Sequence, residues 1–104
     1  MANAYKENRF IIDTAGTTLL RGTLASGESS ILLIKGIRWV SKTASAGDQA
    51  IIQDADGIVY WESVASGSNY VESDLLERKW QKDFKVTTLT TGTLYIYLYA
   101  GRMI

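Results

Sequence analysis

Histidine and cysteine are both absent from this chain. With them go the usual proton shuttle at neutral pH, the commonest metal ligand and the most nucleophilic side chain. No disulfide can form, so nothing in the residue inventory points to an oxidising compartment. Proline is absent too, which is unusual for a chain rich in turns and removes one common guard of exposed strand edges. No stretch approaches the roughly 18 consecutive apolar residues of a membrane span, and Met1–Asn8 is polar and charged rather than a signal sequence. Export and membrane partners are therefore not expected. Formal net charge is zero, with a mildly basic N-terminal half and a mildly acidic C-terminal half. A nucleic-acid binder usually carries a clear basic excess, so no direct nucleic-acid partner is expected.

What remains is 104 residues, 46% of them hydrophobic, in short apolar runs separated by Gly, Ser, Thr and Asp. That length suits one domain able to bury a core without staples. Period-two patterning dominates. From Thr93 to Tyr99, Leu94, Ile96 and Leu98 share one face of a strand, and Thr93, Tyr95, Tyr97 and Tyr99 share the other. Further strands are predicted over Arg9–Asp13, Thr18–Leu24, Ile31–Lys42, Gln49–Gln53, Ile58–Val64 and Phe84–Leu89. The alternation of Ile31–Lys42 breaks at Gly36, and a β-bulge at Lys35–Gly36 would restore it. Asn69–Lys82 shows no alternation. Leu76 and Trp80 lie four apart and Ser73 can cap a helical turn, so a short helix or an irregular crossing is expected there. About seven or eight short strands with turn signals between them read as an all-β antiparallel sandwich, jelly-roll-like, preceded by a flexible N-terminal arm over Met1–Asn8.

The chemistry-bearing candidates are few. Asp54-Ala55-Asp56-Gly57 resembles the start of a calcium loop, but its glycine comes too early for one and a strand follows; a hairpin turn is the simpler reading. Glu62, Glu72, Asp74 and Glu77 offer carboxylate pairs, with Trp61 as a possible sugar platform. Solvated charges beside Arg78, Lys79 and Lys82 account for most of them without catalysis. No nucleophilic serine motif and no phosphate loop is present. No enzyme activity, cofactor or metal is expected. The tyrosine stripe carries the positive message. Either Tyr95, Tyr97 and Tyr99 form an interface, or their strand is buried on both sides with the hydroxyls wetted at the margin. Trp39 and Trp61 suit core or interface anchors, and the apolar end Met103-Ile104 suits burial under a neighbour.

The runs Ile37-Arg38-Trp39-Val40, Ala46-Gly47-Asp48, Ile51-Ile52-Gln53-Asp54, Gly57 to Glu62 and Leu89 to Tyr97 are together similar to small jelly-roll decoration proteins of tailed bacteriophages. The likeness covers residues 31–99 and rests on strand-and-turn patterns. It implies a virion structural protein that cements neighbouring capsomers, made in the host cytoplasm and sited on the capsid surface. It also implies a homo-oligomer, a trimer, partnered by the major capsid protein. Related jelly rolls serve in tail fibres, so a carbohydrate- or receptor-binding module is the alternative. The interface residues expected are Tyr95, Tyr97, Tyr99, Trp61, Met103 and Ile104.

Overall fold

Alternation of buried and half-buried residues marks the strands of the computed structural model, which describes residues 3–24, 32–81 and 83–99. In chain order they are β1 (Ala4–Tyr5), β2 (Arg9–Ile12), the helical turn α1 (Leu20–Leu24), β3 (Leu32–Ser41), β4 (Gln49–Asp54), β5 (Val59–Val64), β6 (Tyr70–Gln81), β7 (Phe84–Leu89) and β8 (Thr93–Leu98). They form a five-stranded sheet, β1-β2-β8-β3-β6, and a three-stranded sheet, β5-β4-β7. Every pairing is antiparallel. From β3 onward the chain crosses between the sheets after β3, β5, β6 and β7, the winding of a jelly roll. The place beside β7 where a jelly roll sets one more strand is flanked by the connection from β2, where the Gly16 N–H donates to the Val86 carbonyl at 2.8 Å.

The core lies between the sheets. Phe10, Ile12, Ile34, Ile37, Trp39, Leu94, Ile96 and Leu98 enter from the large sheet, and Ala50, Ile52, Trp61, Phe84 and Val86 from the small one. Phe10 meets Phe84 edge to face at 5.0 Å, joining the layers. Each buried Ile, Leu, Val or Phe side chain among them stabilises the fold by roughly 1.5–3 kcal/mol relative to exposure.

The bulge expected at Lys35–Gly36 is present: the register of β3 shifts between Ile34 and Gly36 against both neighbours. A Cβ at Gly36 would lie 2.9 Å from the Asp74 carbonyl, so β6 can approach this closely only over a glycine. The Asp54–Gly57 turn also forms as a hairpin. The Asp54 carboxylate accepts the N–H groups of Asp56 and Ile58, which caps the turn.

Three expectations are corrected. Thr18–Leu24 is not a strand, because Leu20–Leu24 is helical. The Asp83 carboxylate accepts the N–H groups of Arg21 at 2.6 Å and Gly22 at 3.0 Å, a cap supplied from far along the chain. Asn69–Lys82 is neither helix nor irregular crossing: Tyr70–Gln81 is a strand paired with β3. Its apolar Val71 and Leu75 face solvent while Glu72 and Asp74 are half-buried, which inverts the usual pattern. The arm expected over Met1–Asn8 is in part ordered, since β1 pairs with β2 through Ala4↔Ile11 and Tyr5↔Phe10. Glu7 and Asn8, both at positive φ, make the turn between them.

Candidate docking face

Strand alternation makes the outer surface of the large sheet. In β8, Leu94, Ile96 and Leu98 are buried, so Thr93, Tyr95 and Tyr97 stand on the opposite side, half-buried. The Tyr95 and Tyr97 rings stack on one another, 6.3 Å between centroids and 17° between planes. Register carries the surface sideways. One row runs Arg9, Tyr97, Gly36, Leu75; the next runs Ile11, Tyr95, Arg38, Ser73; a third runs Thr93, Val40, Val71. Leu75 is 85% exposed and Val71 51%. Arg38 and Lys35 are exposed, and Arg9 lies 3.7 Å from Glu7 at the rim. Beside Tyr97 lies a cleft of about 420 Å³, lined by Gly36, walled by Tyr97 and Leu75 and edged by Glu7, Asn8 and Lys35.

This face is aromatic, aliphatic and basic. Aromatic residues and arginine are the types that enrich at protein interfaces, and contiguous apolar patches on a surface mark contact sites. Of the interface residues expected from the sequence, Tyr95 and Tyr97 lie together here. Tyr99, half-buried, follows directly after β8. Met103 and Ile104 lie outside the described residues. Trp61 is corrected: it is 8% exposed and belongs to the core. Its Nε1–H donates to the Asp74 carboxylate at 2.6 Å, so its ring is no open platform for a sugar or a partner. Trp39 is likewise buried, and its Nε1–H donates to the Thr91 carbonyl at 2.9 Å.

The carboxylates singled out in the sequence separate. Glu62 is exposed on the small sheet. Glu72 accepts from the Tyr70 hydroxyl at 2.8 Å and from the Ser63 hydroxyl, and Asp74 accepts from Trp61. Glu72 and Asp74 thus tie the edge strand of one sheet to that of the other. The Glu77 side chain lies outside the described residues. Among the described residues no cluster of His, Cys, Asp and Glu could hold a metal ion, and no helix is long and apolar enough to cross a membrane.

Sequence reasoning did not single out Arg9, Lys35, Arg38, Val71 and Leu75 as parts of a face. Only Arg38 carried a signal, as the polar neighbour of Trp39 in an alternating strand. Comparison with protein-family models, with curated proteins and with solved structures finds no match to this chain.

Proposed function

We propose that this chain is a non-enzymatic structural protein of a bacteriophage particle, a cement or decoration protein that clamps neighbouring capsomers. The observation that carries the reading is the outer face of the large sheet, where a stacked tyrosine pair, two arginines and exposed aliphatics share one surface on a rigid two-layer scaffold. The resemblance of residues 31–99 to phage decoration proteins and the jelly-roll-like architecture support it. In this reading the face docks on copies of the chain and on the major capsid protein. A stable contact on the order of 800 Å² per partner adds buried area across a capsomer joint and opposes expansion under packed DNA.

The test is the composition of virus particles released from cells whose DNA encodes this chain. The expected result is the chain in fixed ratio to the major capsid protein, with particles lacking it breaking at lower temperature. Recovery with tails alone favours the receptor-binding alternative and overturns the capsid assignment. Recovery only outside particles overturns both.

A further inference from the structure

Among the described residues the exposed large hydrophobics fall in two places. Val71 and Leu75 belong to the outer face of the large sheet; Ile58, Val59 and Val64 belong to the turn and strand that follow Asp54–Gly57. The two places differ in charge. On the large-sheet face Arg9, Lys35 and Arg38 outweigh Glu7, and the described outward positions of its strands hold no carboxylate. Around the hairpin Asp54, Asp56 and Glu62 outweigh Lys85, which pairs with Gln53 on the neighbouring strand.

We propose that the β4–β5 hairpin of a second copy of this chain docks on the Tyr97–Gly36–Leu75 corner of the large sheet. This rests on the reading of that face as an interface and names its occupant. The corner is concave: Gly36, Tyr97 and Leu75 line its cleft. Ile58, 65% exposed beside the turn, is a branched apolar side chain of the size such a cleft accepts. Asp56 and Glu62 then face Lys35 and Arg38. The hairpin needs little ordering on docking. Its Asp54 N–H donates to the Ile58 carbonyl at 2.9 Å, the Gly57 N–H donates to the Asp54 carbonyl at 3.1 Å, and the Asp54 carboxylate caps the turn.

Charge also decides which surfaces meet. Two large-sheet faces packed together set Arg9, Lys35 and Arg38 against themselves, and two hairpins packed together set Asp56 and Glu62 against themselves. Both arrangements juxtapose like charges. Hairpin to face is complementary. Made in one direction it is a head-to-tail contact, which closes into a ring when its rotation permits; made reciprocally it gives a twofold pair.

The experiment is sedimentation and light scattering on the full chain without capsids. The unmodified protein is expected to be oligomeric at micromolar concentration and to weaken with added salt. Asp56→Lys with Glu62→Lys, and separately Lys35→Glu with Arg38→Glu, should each weaken association by on the order of a hundredfold. An equal mixture of the two variants should associate again in alternating copies, because the intact hairpin meets the intact face and the reversed hairpin meets the reversed face. The chain carrying all four changes should oligomerise again. Thermal melting of each variant checks folding; if a variant does not fold, the salt dependence and the Ile58→Asp chain replace it. A monomeric unmodified chain, an oligomer indifferent to both reversals or to salt, or a mixture that stays monomeric overturns the proposal. A solution oligomer of this design that is absent from virus particles sinks the cement reading alone.

Discussion

Trp61 and Asp74 join the two sheets at their edges: the indole Nε1–H of β5 donates to the Asp74 carboxylate of β6 at 2.6 Å. Both strands lie at the margin of their sheets, and the bond spans the gap between them. An inward-turned carboxylate on an edge strand also discourages a second chain from adding there. Asp74→Ala leaves a buried indole N–H without its acceptor, so a loss of about 1–3 kcal/mol is expected in urea unfolding. Asp74→Asn retains an acceptor and should lose less. Equal losses for the two would show that the indole bond is not what Asp74 contributes.

The same strand explains how much of this architecture was legible. β8 declares itself, because Leu94, Ile96 and Leu98 alternate with Thr93, Tyr95 and Tyr97 and the buried side is the apolar one. The β3 bulge is legible from a single glycine out of register. β6 hides, because its burial runs against hydropathy: Glu72 and Asp74 turn in toward Ser63 and Trp61 on β5, and Val71 and Leu75 turn out. No period-two signal survives that inversion, and spacing of Leu76 and Trp80 mimics a helix. The docking face was half visible. Its tyrosines sit in one strand, but its cations and aliphatics come from β2, β3 and β6, and only sheet register unites them.

Asp83 holds α1 by accepting the Arg21 and Gly22 N–H groups, and it also accepts the Phe84 N–H at 2.8 Å. Leu20 and Leu24 add packing against the core to this five-residue helical turn, which is too short to persist alone. Asp83→Ala is expected to lower stability by about 1–2 kcal/mol. Amide exchange should quicken at Arg21–Leu24 well before it quickens in β4 or β8. Uniform quickening across the sandwich would instead place Asp83 in the global core.

Tyr97 separates assembly from folding. Its ring stands on the outer face, stacked on Tyr95, while the neighbouring Ile96 and Leu98 fill the core. Tyr97→Ala should remove about 0.5–1.5 kcal/mol of ring–ring contact from the fold. The loss in self-association should be larger, because the ring walls the Gly36 cleft. A collapsed melting midpoint with assembly unchanged would assign Tyr97 to the fold and not to the interface.

Tyr60 carries the pH dependence. The register of β5 slips from Ile52↔Trp61 to Gln53↔Val59, which makes Tyr60 the extra residue of a bulge, and its ring packs against the core. Its hydroxyl is buried with no hydrogen-bond partner among the described residues, and burial pushes it from 10.0 up to about 12. The neutral phenol is the form the folded chain accepts. Stability is therefore fully present below pH 10, the unfolded value, and is lost as pH rises toward about 12, because the unfolded chain ionises first. Tyr60→Phe removes both the titration and the unsatisfied hydroxyl. The variant should match or exceed the unmodified chain at neutral pH and lose less of its melting midpoint between pH 10 and pH 12. An alkaline limb of the same steepness in Tyr60→Phe would locate the titrating group elsewhere.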